Sequence, residues 1–186
     1  MLATGLGPRR PAGAPCPACG GELAGAWAGY ERSLRMGERV VGLQIARTRC
    51  LSCRATHALL PSFVVPGRLD AAPSIAWALA LAARGWGHRP IARALGLPAT
   101  TVRGWLRRLR SGALGHAARL ERVAIAWGAP PARPPPTETA LGALWRAIGA
   151  ARRAARARLG PAGQLCRAAL LVAVIGPGLL AHTDSP

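Results

Sequence analysis

Four cysteines in two close pairs are the residues of this sequence with the clearest capacity for chemistry. Cys16 and Cys19 stand in the run "CPACGG", Cys50 and Cys53 bound the run "CLSC", and 30 residues separate the pairs. Such pairs can form disulfides, a redox-active dithiol or a metal site. Two thiolates three positions apart bind one metal ion while a tight turn points backbone N–H groups at the sulfurs. The spacing therefore favours one zinc ion held by all four cysteines.

The amino-terminal run "MLATGLGPRRPAGAP" also favours a metal over disulfides. It has no apolar core of signal-peptide length, so we interpret residues 1–15 as a flexible basic lead-in and expect a cytoplasmic, nucleoid-associated protein. In that reducing compartment, paired cysteines hold metal more often than they form disulfides.

Two further side chains could join such a site, and the sequence argues against both as ligands. His57 lies four residues beyond Cys53, where the cysteine set is already complete, so we expect it to pack or to hydrogen-bond beside the second pair. Cys166 lies in an apolar run and is predicted to be a buried small hydrophobic residue.

The segment between the cysteine pairs is longer than the commonest zinc-site spacing, so it must hold structure of its own. The runs "ELAGAWAGYERSL" and "RVVGLQIARTRC" flank the turn-like "RMGE" and predict a β-hairpin. Val41, Leu43 and Ile45 alternate as one strand face, which continues as Arg47 and Arg49. The product is a zinc ribbon, in which the metal supplies much of the folding free energy because so small a sheet buries little apolar area.

The charge of the chain points to a polyanionic partner. Its 186 residues include 25 basic and only 7 acidic side chains, a formal net charge of +18. All basic residues are Arg, which a G+C-rich coding sequence explains, but such a bias does not explain the scarcity of Asp and Glu. We therefore favour nucleic acid as the partner over generic basicity.

The same scarcity argues against an enzyme. A two-metal nuclease or transposase needs clustered carboxylates, whereas these stand one at a time along the chain. Neither a phosphate-binding G-x-x-x-x-G-K-[ST] loop nor a G-x-S-x-G nucleophile turn is present. The acidic residues are Glu22, Glu31, Glu38, Asp70, Glu121, Glu138 and Asp184.

Beyond the ribbon, the hydrophobic period changes from two to that of a helix. Ile75, Leu79 and Ala82 recur on one face of a first helix, and Gly85 and Gly87 end it.

A second helix follows, with Pro90 in its first turn and with His88 and Arg89 just outside it. The run "GLP" then turns the chain, and a third helix starts near Ala99 or Thr100.

The spacing of Ala92, Gly96 and Val102 is typical of a bacterial helix-turn-helix. A small Ala lets two helices approach, Gly permits the positive φ of the turn, and a branched aliphatic residue fills the crossing.

The third helix lays Thr and Arg opposite an apolar stripe formed by Val102, Trp105, Leu106 and Leu109. Such a helix suits the DNA major groove, although a solvated basic face on a three-helix bundle would read the same way. We predict DNA contacts from Thr100, Thr101, Arg103, Arg107, Arg108 and Arg110.

Within this set, Arg103 and Arg107 are expected to reach base edges, and Arg108 and Arg110 to hold phosphates. Gly104 costs about 1 kcal/mol relative to Ala in mid-helix, and we expect it to allow close backbone approach to DNA.

The remaining sequence predicts further helices and a linker. "GHAARLERVAIAWG" predicts one more amphipathic helix, and "GAPPARPPPTET" a stiff linker. Leu141, Leu144, Trp145 and Ile148 then recur at helical spacing, as a core or as a homodimer contact between C-terminal helices. The apolar run "AALLVAVIGPGLLA" has 14 residues, fewer than the about 20 that span a membrane, so we expect no membrane partner.

The predicted organisation has five parts. They are a lead-in (1–15), a zinc ribbon (16–68), a helix-turn-helix domain (69–127), a Pro-rich linker (128–137) and a C-terminal helical segment (138–186).

Three runs in order, "CPACGG", "RTRCLSCRATHALLPSF" and "IARALGLPATTVRGWLRRL", resemble the zinc-ribbon and helix-turn-helix front end of bacterial insertion-sequence transposases. They also resemble uncharacterised proteins of high-G+C bacteria that keep this front end alone. The resemblance covers about residues 16–110 and implies zinc at the four cysteines and DNA recognition around Thr101 to Arg108. Such transposases carry a catalytic acidic triad downstream, which this sequence lacks, so catalysis does not transfer.

The sequence thus predicts an α+β protein that binds double-stranded DNA and Zn²⁺ without catalysis. Its role would be that of a transcription regulator, or of an accessory or remnant of a mobile element. The alternative is an adaptor whose ribbon binds a protein or RNA while the helices serve as a packing module.

Overall fold

A computed structural model describes residues 15–160, 167 and 169–173 of the chain. A three-stranded antiparallel sheet comes first and helices follow, which confirms the predicted α+β class. Cys166 and nearly all of the lead-in lie outside the described residues, as does much of the C-terminal apolar run. The elements are β1 (Leu23–Met36), β2 (Arg39–Cys50), β3 (Thr56–Leu59), α1 (Ala72–Ala83), α2 (His88–Leu95), α3 (Ala99–Ala126) and α4 (Ala140–Leu159).

The predicted hairpin is confirmed. Strands β1 and β2 pair antiparallel, and Met36 faces Arg39 across a two-residue turn made by Gly37 and Glu38. Gly37 has a φ of 65°, the left-handed conformation that a tight hairpin turn requires and that glycine adopts without strain.

The pattern of β2 departs from the predicted alternation beyond Ile45. The buried positions move to Thr48 and Cys50, whereas Arg47 and Arg49 are only partly buried. Irregularities in the β1–β2 pairing lie opposite this end of β2, and an extra residue in one strand bends it and increases its twist.

Strand β3, which the sequence did not predict, is a short strand that pairs with the same end of β2. His57 faces Thr48 across this pairing, so β3 places the imidazole beside the cysteine-bearing end of the sheet. Four residues carry too little alternation to be recognised as a strand without their partner.

The helix-turn-helix order is as predicted, and one boundary needs correction. Helix α2 begins at His88, with Gly87 in the extended conformation before it, so His88 and Arg89 lie inside the helix rather than outside it. Pro90 still falls in the first turn, where its missing N–H costs no hydrogen bond.

The separate amphipathic helix predicted from "GHAARLERVAIAWG" is wrong. Those residues form the carboxyl-terminal half of α3, which runs unbroken for 28 residues. Gly112 and Gly115 do not end it, because Ala113, Ala117 and Leu120 continue the buried stripe along the same face.

One hydrophobic core unites all four helices, and α4 contributes Leu141, Leu144 and Ile148 to it. Residues 128–139, between α3 and α4, contain no helix or strand, as their proline content predicts. Arg146 of α4 holds the connection through Glu138 at 2.9 Å and Glu121 of α3 at 2.8 Å.

The sheet is fastened to the helices near the end of the hairpin. The amide of Arg35 donates to the carbonyl of Leu69 at 2.7 Å, and the amide of Ala71 donates to the carbonyl of Arg35 at 2.9 Å. The Arg35 guanidinium also pairs with the Asp70 carboxylate at 2.6 Å. At the tip, Glu38 lies so close to Gly96 that a Cβ on Gly96 would stand 2.8 Å from Glu38 Cγ.

Candidate metal centre and nucleic-acid interface

The sulfurs of Cys16, Cys19, Cys50 and Cys53 all lie within 4.8 Å of one another. Cys16 Sγ is 3.8 Å from Cys53 Sγ, and Cys19 Sγ is 3.5 Å from Cys50 Sγ. Zinc–sulfur bonds of about 2.3 Å in a tetrahedron separate the sulfurs by about 3.8 Å. The donor set and its spacing therefore fit a tetrahedral zinc ion.

The first cysteine pair lies in a tight turn that aims a donor at sulfur. The amide of Gly20 donates to the carbonyl of Cys16 at 2.8 Å, and Gly20 has a φ of 74°. Within this turn, the amide of Ala18 lies 3.4 Å from Cys16 Sγ.

The second pair repeats this arrangement. The amide of Cys53 lies 3.4 Å from Cys50 Sγ, and Arg54 has a φ of 63° at the position equivalent to Gly20. The amide of Cys50 donates to the carbonyl of Ala55 at 2.8 Å and closes the loop. Both pairs thus form turns with N–H groups directed at a sulfur, as a zinc knuckle requires.

The thiols influence one another's ionisation. The backbone N–H of Cys53 is the largest of the effects that lower the pKa of Cys50, to about 6. The N–H of Ala55 favours the Cys53 thiolate, but the sulfurs of Cys19, Cys50 and Cys16 outweigh it and raise the pKa of Cys53 to about 12. Four adjacent thiolates repel one another, so a divalent cation is the natural counter-charge for this cluster.

His57 lies beside the cluster, but its contact is with the first cysteine pair and not with the second pair, where the sequence analysis expected it. Its Nε2 is 3.3 Å from Cys16 Sγ, a distance at which the ring can hydrogen-bond to the sulfur. The four sulfurs are enough for a tetrahedral set without the imidazole, so a hydrogen bond from His57 to Cys16 stays the predicted role of this side chain.

The turn between α2 and α3 has the geometry that its residue types predict. Gly96 adopts the left-handed conformation with a φ of 64°, and the amide of Leu97 donates to the carbonyl of Ala92 at 3.0 Å. Ala92 and Val102 are both buried where the two helices cross. These residues fix the orientation of α3 relative to α2.

The outer face of α3 carries the predicted DNA contacts. Five of the six predicted residues are exposed, and Thr101 is half-buried, while the apolar stripe opposite them is buried. Thr100, Thr101, Arg107 and Arg108 lie beside the loop of residues 67–70, and Arg103 and Arg110 lie on the other flank of α3. The roles of individual side chains stay predictions.

The loop of residues 67–70 brings Arg68 to the same surface, which the sequence analysis did not anticipate. Nothing in the local run "VVPGRLDAA" marks Arg68 as a neighbour of α3, because the contact depends on how the sheet docks on the helices.

Two family models match overlapping segments of the chain. Residues 16–89 match a domain of unknown function (DUF6431), and residues 75–117 match a homeodomain-like domain (HTH_23). No curated protein and no solved structure matches the chain. The homeodomain-like match covers α2 and the exposed Arg and Thr of α3, and it indicates a DNA-binding helix-turn-helix.

Across the described part of the chain, no helix combines the length and the apolar character needed to cross a membrane.

Proposed function

We propose that this chain is a zinc-stabilised, non-catalytic DNA-binding protein that reads duplex DNA with α3. The observation that carries the proposal is the face of α3, where exposed Arg and Thr stand opposite a buried stripe directly after a left-handed helix-turn-helix turn. Guanidinium groups recognise guanine edges and phosphates, and hydroxyl groups contact either, so this face has the chemistry of a recognition helix.

Zinc would be held by Cys16, Cys19, Cys50 and Cys53, and its role would be structural. A closed four-cysteine set leaves no open coordination position for a substrate. The cluster joins the amino-terminal segment to the far end of β2, so the ion would stabilise the sheet whose hairpin is fastened to the helices.

The placement of the carboxylates supports a non-catalytic role. Asp70 pairs with Arg35, and Glu121 and Glu138 pair with Arg146. These pairs occupy carboxylates that a metal-dependent nuclease would need to keep free and close together.

The biological setting we propose is transcription regulation or an accessory role in a mobile element. The resemblance to the front end of insertion-sequence transposases supports the second, and the absence of a downstream acidic triad from the sequence argues for a role without strand transfer. Either role places the protein at the chromosome in the cytoplasm.

An adaptor is the second proposal, and the exposed side of the sheet favours it. Strand β1 lies at an edge of the sheet, and two of its aromatic residues are exposed to solvent, Trp27 to 51% and Tyr30 to 40%. An edge strand with exposed aromatic side chains can pair with a partner protein. Binding of duplex DNA by α3 distinguishes the two proposals.

The test is selection of duplex sequences from a random pool by the zinc-loaded protein and by two variants. We expect Arg103→Ala to relax the preference at one or two positions, a loss of about 1–3 kcal/mol of discrimination. We expect Arg110→Ala to lower the affinity for all duplex sequences by the same factor.

Arg122→Ala is the matched control, because Arg122 is exposed on the same helix but lies beyond the predicted DNA contacts. Equal affinities for wild type and both variants would favour the adaptor, as would failure of the wild type to enrich any sequence.

A further inference from the structure

A polar cleft of about 380 Å³ lies between the loop of residues 67–70 and the amino-terminal half of α3. The loop contributes Arg68 and Asp70, and Arg35 reaches the cleft from β1. Thr101, Gly104 and Arg108 recur along α3 at intervals of three and four, so they line one flank of the helix.

The loop wall of this cleft is held rigidly. Main-chain hydrogen bonds tie residues 69 and 71 to Arg35 of β1, and Val65 belongs to the helical core. The Arg32 guanidinium donates to the carbonyls of Val65, at 3.0 Å, and of Arg68. The position of the Arg68 backbone therefore does not depend on its own side chain.

The cleft is strongly cationic. Arg35, Arg68, Arg107 and Arg108 line it, and its single carboxylate, Asp70, already pairs with Arg35. Burial lowers the pKa of Arg68 and the nearby charge of Arg108 lowers it further, while Asp70 acts in the opposite direction without offsetting them. A bound anion would relieve this repulsion between two guanidinium groups.

We propose that this cleft binds one phosphate of the DNA backbone, with Arg68 and Arg108 as its cationic contacts and the Thr101 hydroxyl as a further donor. The inference rests on the proposed function, because it takes α3 to be the helix that meets DNA. Guanidinium groups match phosphate oxygens with paired N–H donors, and helix-turn-helix proteins are positioned on duplex DNA by such contacts.

This site adds a backbone contact from the sheet side to one flank of α3. Arg68 and Arg108 anchor the backbone on the flank beside the loop, and Arg103 and Arg110 lie on the opposite flank. The ribbon thereby takes part in DNA binding, since the loop that carries Arg68 is fastened to β1.

The first experiment measures the affinity of the zinc-loaded protein for a mixed-sequence duplex by fluorescence anisotropy at several salt concentrations. A phosphate contact acts on any sequence, so no target site is needed. We expect Arg68→Ala to weaken binding about tenfold at low salt. It should also reduce the slope of log affinity against log salt by about 1.

Three further variants complete this experiment. Arg68→Lys keeps the charge and should keep the wild-type slope, and Arg122→Ala should leave both quantities near wild type. Arg108→Ala should behave as Arg68→Ala does, and it provides the same test from an exposed helix position if the loop variant unfolds. If Arg68→Ala and Arg108→Ala both show the affinity and the salt slope of Arg122→Ala, the proposed phosphate site is wrong.

The second experiment uses a duplex sequence selected by the protein, with single phosphates replaced in turn by uncharged methylphosphonates. We expect one phosphate position at which the replacement weakens DNA binding by the wild-type protein but does not change DNA binding by Arg68→Ala. Equal sensitivity of both proteins at every position would overturn the site while the proposed function stands. A wild-type protein that binds no duplex would overturn both.

Discussion

At the four sulfur atoms, the backbone already provides part of what a metal site needs. Four thiolates around one divalent ion leave two excess negative charges, and N–H donors near the sulfurs offset them. The amides of Ala18 and Cys53 lie 3.4 Å from the sulfurs of Cys16 and Cys50, and the His57 ring lies 3.3 Å from Cys16. These contacts help to orient the sulfurs toward a common centre.

The cysteine cluster gives the residue-scale prediction. Cys50→Ser should lose stoichiometric zinc, because Cys50 is buried and its sulfur lies 3.5 Å from that of Cys19. A hydroxyl group does not replace a thiolate there. Zinc per chain, measured by mass spectrometry of purified protein, checks this.

Cys166→Ser is the matched control for that measurement. It should keep one zinc per chain, because the four clustered sulfurs already fill a tetrahedral site. If Cys50→Ser retains one zinc per chain, or if Cys166→Ser loses its zinc, the assignment of the four ligands is wrong.

At the scale of elements, two glycines of the helix-turn-helix have opposite roles. Gly96 adopts the left-handed conformation at the turn, where a side chain would also meet Glu38. Gly104 lies inside the amino-terminal half of α3, where a Cβ would approach only the flexible end of Arg108, at 3.4 Å. The first glycine is required by the backbone, and the second weakens a helix without serving its packing.

These roles predict opposite changes in stability. Gly104→Ala should raise the free energy of unfolding by about 1 kcal/mol, because Ala is the better helix former. It should also weaken DNA binding, since Gly104 lines the proposed phosphate cleft. Gly96→Ala should lower stability by about 1–2 kcal/mol through the left-handed backbone alone.

Urea denaturation of each variant checks whether the free energy of unfolding rises for Gly104→Ala and falls for Gly96→Ala. The double variant Glu38→Ala with Gly96→Ala separates the cost of the left-handed backbone from that of the contact with Glu38. A Gly104→Ala variant that binds duplex as wild type does would show that DNA does not approach α3 at that point.

The elements that the sequence predicted are those whose patterns are local. The alternation of Val41, Leu43 and Ile45 identified β2, and the spacing of Ala92 and Gly96 identified the turn. Features that depend on residues distant in the sequence were not predicted. Strand β3 needs β2 to define it, α3 needs α4 to bury its carboxyl-terminal half, and the place of Arg68 depends on the docking of the sheet.

At the scale of the whole molecule, the ribbon and the helices are stabilised by different sets of residues, and contacts between them hold the two parts together. The helical core contains residues from α1, α2, α3 and α4 and none of the four clustered cysteines, and the buried Cys16 and Cys50 pack with Leu23 in a separate cluster. One link between them is the main-chain pairing of Arg35 with Leu69 and Ala71, reinforced by the Arg35–Asp70 ion pair. Arg32, which donates to the carbonyls of Val65 and Arg68, and Glu38, which lies against Gly96, provide others. Loss of zinc should therefore disturb the sheet, and through it the loop that carries Arg68, while the helices stay folded.

The most direct test of a zinc-stabilised DNA-binding protein measures binding of a labelled mixed-sequence duplex by the zinc-loaded protein and repeats it after a chelator has removed the zinc. We expect the zinc-loaded protein to bind saturably, with a logarithm of affinity that falls linearly with the logarithm of salt concentration. After chelation we expect weaker binding and a smaller slope. Circular dichroism of the same samples should show the helical signal retained. A zinc-loaded protein that does not bind duplex at moderate ionic strength, or one whose binding is unchanged by chelation, would contradict the proposed function.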